Sequence, residues 1–126
     1  MYKKIIIILV LLSVNYVELL AEEVILSCNG SSKSEFYYLD NPSQNEGYVE
    51  DKINITIIKK NNKLYVRGNV GDSEILSIGG NDPQFLERVA YGYTVLYTVH
   101  KNSVTIHKSY SMNGVSAMIN IVVNCE

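Results

Sequence analysis

Apolar and polar positions alternate with a period of two along most of the chain, which is the pattern of half-buried β-strands. Eight such runs stand out: Glu23–Cys28, Ser34–Leu39, Glu50–Lys60, Lys63–Val70, Glu74–Ile78, Tyr93–His100, Ser103–Tyr110 and Ser116–Cys125. In the last run Ala117, Ile119, Ile121, Val123 and Cys125 share one face, and in the first Val24, Leu26 and Cys28 do. Turn residues separate the runs. Asn61-Asn62 and Asn113-Gly114 can supply the positive φ values of type I′ hairpins. Asn41 to Gly47 and Gly79-Gly80-Asn81 form polar loops.

One segment follows a different period. Asp82 can cap, Pro83 suits a first helical position, and Phe85, Leu86, Val89 and Ala90 gather on one helical face before Gly92. The spacing predicts a short helix over Pro83–Tyr91. The fold class expected is all-β, a small antiparallel barrel of about eight strands with this one helix. A β-sandwich with adjacent terminal strands is the alternative.

The leading residues change the picture of where the domain works. Met1 to Lys4 form a positive start, Ile5–Val14 an apolar run, and Leu19-Leu20-Ala21 precedes the acidic pair Glu22-Glu23. This is the plan of a signal peptide over residues 1–21, leaving 22–126 as a single exported β domain, periplasmic or secreted. The apolar run is shorter than the ~20 residues of a membrane-spanning helix, so no membrane span is expected. Removing Lys3, Lys4 and Glu18 leaves nine basic and twelve acidic residues. A net charge near −3 does not suit a nucleic-acid binder that works by neutralising phosphates.

The exported part carries two cysteines, Cys28 and Cys125, both on core-facing parity. In an oxidising compartment they are expected to form one disulfide joining the first and last strands. Ile25-Leu26-Ser27-Cys28 is similar to a lipoprotein acylation motif, but Glu18, Glu22 and Glu23 separate it from the apolar run. Lipidation would also leave Cys125 unpaired. Two glycosylation sequons, Asn29-Gly30-Ser31 and Asn54-Ile55-Thr56, matter only in a eukaryotic source.

Candidate catalytic and metal chemistry is sparse. If Val99 pairs with Val104, then Thr98 faces Thr105 and Leu96 faces His107, which leaves His100 and His107 about 13 Å apart on one face. They cannot share an ion, and no metal site or cofactor is expected. Gly71-Asp72-Ser73-Glu74 is similar to the serine block of one lipase and esterase family, but neither histidine follows an aspartate at the spacing that family needs to activate the serine. Glu50, Asp51, Asp72, Glu74 and Glu87 could be drawn into a glycosidase pair, although the sequence sets no separation between any two. Gly79-Gly80 lacks the lysine of a phosphate loop.

Tyrosine is the residue in excess: Tyr37, Tyr38, Tyr48, Tyr65, Tyr91, Tyr93, Tyr97 and Tyr110 follow the leader. Its apolar ring and polar tip suit contact surfaces. In the Asn61-Asn62 hairpin, Ile53, Ile55, Ile57, Val66 and Val70 fall on one face and set Tyr65 opposite Ile58 on the other. An exposed Tyr65–Ile58 pair is the candidate partner-binding patch.

With its leader, early Cys28-Asn29-Gly30, run of short strands and penultimate Cys125, the chain resembles small exported bacterial β proteins with a terminal cysteine pair. It also looks like the periplasmic inhibitors of C-type lysozyme in size and disulfide content. Their inhibitory loop is missing, because Ser77-Ile78-Gly79-Gly80 has neither its Ser-Gly adjacency nor its tyrosine. The resulting expectation is no enzyme but a non-enzymatic binding, inhibitor or immunity-type domain acting on a protein partner. The alternatives are a small-ligand carrier with a barrel pocket and, last, a hydrolase.

Overall fold

In a computed structural model, which describes residues 21–68, 71–79 and 83–126, the chain forms eight strands, two of the expected runs merging into one and the expected helix becoming another. They are β1 (Glu23–Tyr38), β2 (Glu46–Lys60), β3 (Lys63–Arg67), β4 (Asp72–Ser77), β5 (Gln84–Ala90), β6 (Tyr93–Val99), β7 (Ser103–Met112) and β8 (Val115–Cys125). Each pairs antiparallel with the next in the chain, and β8 returns to β1, so the sheet is a closed up-and-down barrel rather than a sandwich. The signal peptide read over residues 1–21 lies almost wholly outside the described residues. No helix among the described residues is long and apolar enough to cross a membrane.

Closure rests on nine residue pairs, from Gly30 with Cys125 to Tyr38 with Ala117. The Cys28–Cys125 disulfide spans the lower end of this seam, with Cα atoms 5.0 Å apart and a sequence separation of 97. Looping out that much chain in the unfolded state gives the bridge an entropic worth of roughly 4 to 5 kcal/mol. Inside the ring, Cys28, Ile55, Ile57, Ile75, Phe85, Val95, Tyr97, Val104, Ile106 and Val123 form one buried cluster. Both hairpin turns behave as expected: Asn61 and Asn62 have φ of 54° and 62°, and Asn113 and Gly114 have 54° and 75°.

The segment expected to be helical is strand β5 instead. Phe85 and Glu87 point inward, Phe85 opposite Tyr97 and Glu87 opposite Val95. The nine residues Pro83–Tyr91 are too few for periodicity alone to separate the two readings, and position in the ring decides. A helix here would leave the facing edges of β4 and β6 without ladder partners. Pro83 sits just before the strand, where its missing N–H costs nothing, and its carbonyl accepts from the Val99 N–H at 2.9 Å. The capping role assigned to Asp82, like the place of Val70 on the β3 face and the Gly80-Asn81 part of the loop, lies outside the described residues. The only helical turn among the described residues is a 3₁₀ turn at Pro42–Gln44.

Two further expectations are corrected along β1. The break expected between Cys28 and Ser34 is absent, and one strand of 16 residues runs through it. A bulge at Ile25 then inverts the parity of the strand's first residues, since Val24 pairs with Ile58 while Leu26 pairs with Ile57. Val24 therefore turns outward, 59 % exposed, instead of sharing the inner face with Leu26 and Cys28.

Gly30 is the tightest point of the seam, paired with Ile53 on one side and Cys125 on the other. A Cβ there would overlap the Asn124 carbonyl oxygen. Gly30→Ala is expected to destabilise the oxidised protein by about 3 kcal/mol or more, measured by denaturant unfolding. A loss within ~0.5 kcal/mol would show that β1 and β8 do not approach this closely.

Candidate functional site

In an up-and-down barrel alternate turns fall at the same end. The β1–β2, β5–β6 and β7–β8 hairpins therefore rise together, while β3–β4, turning back between Arg67 and Asp72, stays low. The three tall hairpins are bound to one another. The Leu39 N–H donates to the Ser116 carbonyl at 3.0 Å, and the Ser111 N–H donates to the Gly92 carbonyl at 2.8 Å. Gly92, at φ 81°, makes that second approach possible, because a Cβ would run into the Ser111 carbonyl oxygen. The Asn45 side chain accepts from the Tyr38 N–H at 2.7 Å and pins the longest loop.

Six of the eight tyrosines after residue 21, Tyr37, Tyr38, Tyr48, Tyr91, Tyr93 and Tyr110, stand toward this end. Tyr93 and Tyr110 meet edge to face at 5.6 Å, and Phe36 meets Tyr48 likewise at 5.3 Å. Exposed apolar side chains crown the tips: Leu39 on the first hairpin, Val89 and Tyr91 on the second, and Val115 on the third. Tyr91 is 90 % exposed. The phenols are also tied to acids. Tyr37 donates to the Glu35 carboxylate, and hydrogen bonds to Glu35 and Glu46 raise the titration of Tyr37 and Tyr48 above the ordinary phenol value.

Beneath the crown, Glu87 is 6 % exposed, and its carboxylate accepts a 2.8 Å hydrogen bond from the Tyr97 hydroxyl. Burial, followed by this bond, drives the Tyr97 phenol far above its ordinary value. Tyr93, one inward row nearer the mouth than Val95 and Glu87, is raised by burial and then by the Glu87 charge. Lys108 shares the inward row with Glu87 on the far side of Val95, so a cation stands two strands away. Reading β5 as a helix hid this carboxylate, although the alternation of Phe85 with Glu87 was the signal that could have shown it.

The residues singled out from sequence fall elsewhere. Ile58 does pair with Tyr65, but it is 0 % exposed, enclosed in an outward row between Val24 and Tyr65. Lys60 lies over the Tyr65 ring at 5.3 Å. With Ile58 buried the pair offers no exposed patch, and the bulge at Ile25 sets Val24 beside it in the ladder. The His100 and His107 register is as expected: Leu96 faces His107, Thr98 faces Thr105, and the His100 ring meets the Thr105 hydroxyl at 3.1 Å. No group of three or more metal-ligating side chains occurs among the described residues. In the Gly71–Glu74 block Asp72 is held by Arg67 at 3.4 Å and Lys60 at 3.9 Å, and Glu74 lies 3.9 Å from Lys63. These are hairpin charges, and among the described residues no base is hydrogen-bonded to Ser73.

Comparison with protein-family models, with curated proteins and with solved structures finds no match to the chain.

Because Tyr97 holds its proton more tightly folded than unfolded, its contribution to stability is complete below the ordinary phenol value of 10.0 and is lost as pH rises through and above it. Tyr97→Phe is expected to flatten the fall in stability between about pH 9 and 11. At neutral pH it should cost about 1 to 3 kcal/mol, because Glu87 loses its donor. Identical pH slopes for the two proteins would contradict the buried bond.

Proposed function

We propose that the chain is an exported, non-enzymatic binding domain of the inhibitor or immunity type, and that it holds a protein partner on the tall hairpin end. The observation that carries this reading is the concentration of tyrosines and exposed aliphatic tips on one end of a barrel whose interior is filled by aliphatic and aromatic side chains. Large, stiff aromatic groups flanked by hydrogen-bonding polar groups are the composition of protein contact surfaces. The disulfide supports an oxidising compartment, in keeping with the leader. A filled interior favours contact by the surface over carriage of a ligand inside.

Placing a photo-crosslinking phenylalanine analogue at Tyr91 in the native cells should give a discrete protein adduct, whereas the same analogue at His107, on the barrel wall, should not. Tyr91→Ala combined with Leu39→Ala should then weaken binding of the captured partner by about thirtyfold or more, equivalent to ~2 kcal/mol, without changing the unfolding midpoint. A folded protein that yields no adduct from Tyr91 would overturn the reading.

A further inference from the structure

The barrel wall is uneven, and its step exposes a strand edge. β2 runs from Glu46 to Lys60, yet β3 pairs only with Ile57–Lys60 before the chain turns away. Glu46–Glu50 and Ile53–Thr56 therefore pair with β1 on one side, with a bulge at Asp51-Lys52 between them, while no strand among the described residues pairs with the other side. Every residue from Glu46 to Lys52 is exposed. Such an edge presents a row of unpaired N–H and C=O groups, which is a template for an added strand.

Charge decides what can be added. The edge carries Glu46, Glu50 and Asp51 against the single Lys52. A second copy laid antiparallel would bring acidic residues against acidic residues, which disfavours self-pairing and leaves the edge open to a strand of opposite charge. Side-chain order adds detail. Tyr48 stands on the inward face against Phe36, between Glu46 and Glu50. Val49, 72 % exposed, stands on the outward face before Asp51. A complementary strand would set apolar side chains beside Tyr48 and Val49 and basic ones beside the three acids.

We propose that the free edge Glu46–Asn54 of β2 is a strand-addition site for an extended, Lys- or Arg-rich segment of the protein partner. This rests on the partner-binding reading and specifies how the partner engages. The probe is a nine-residue peptide alternating lysine with valine and threonine, titrated into isotopically labelled, oxidised full-length domain and followed by amide NMR. Expected are shifts confined to residues 46–54 and at least tenfold slower exchange at alternate amides of the regular stretch Glu46–Glu50, before the bulge at Asp51-Lys52. A glutamate-for-lysine peptide, a proline-interrupted lysine peptide, and the lysine peptide with the Glu50→Lys/Asp51→Lys variant should all fail to produce them. No change at β2 up to millimolar peptide, or equal shifts from the proline-interrupted peptide, which shows charge attraction alone, overturns the proposal. A silent edge together with crosslinking at Tyr91 sinks strand addition and leaves the hairpin end as the contact. If both are silent, both readings fall.

Discussion

Everything else in this molecule depends on β1 reaching β8. An eight-stranded sheet of this length left open would expose two unpaired edges, and no second layer among the described residues covers its apolar face. Closing the ring removes those edges along the seam and folds the apolar face onto itself. The contact is intolerant: Gly30 must pass so close to Asn124 that no side chain fits, and the disulfide then ties the two strands just below. A barrel this small has little core to spare. A cross-link spanning nearly the whole domain makes up a substantial part of its margin.

Closure also determines what the surface can do. Because β1, β2, β7 and β8 extend well past the height of β3 and β4, one end carries three joined hairpins and a free length of β2. The lower part of the barrel holds the aliphatic core, and the upper part trades it for tyrosines, Glu87 and Lys108. That gradient separates stability from recognition. The hairpin tips are free to carry Leu39, Tyr91 and Val115 in contact with water because the ring beneath needs none of them for its core.

Much of this was legible in the sequence, for definite reasons. Strict alternation in Ala117–Cys125 shows which face looks inward and so puts Cys125 on the same inner face as Cys28, two residues from its register partner Gly30. The Asn-Asn and Asn-Gly turns set the registers of Ile58 with Tyr65 and of Tyr110 with Ala117. What escaped was non-local. Phe85, Leu86, Val89 and Ala90 satisfy a helical period over a short window, and only the need for a partner between β4 and β6 makes the segment a strand. One extra residue in β1, Ile25, turns Val24 outward beside Ile58, and no single-sequence pattern signals a bulge of that kind. The hairpin end was hidden for the same reason. Its members lie far apart in the chain, and they come together only once alternate turns are known to share an end.

Amide hydrogen exchange before and after reduction of the disulfide tests the closed seam most directly. In the oxidised protein the slowest amides are expected in β1 and β8 along Gly30–Tyr38 and Ala117–Cys125. Reduction should speed exchange there first and leave the β6–β7 ladder protected. Slow exchange that avoids the β1–β8 seam in the oxidised protein, or reduction that loosens every strand equally, would contradict a barrel held shut at that junction.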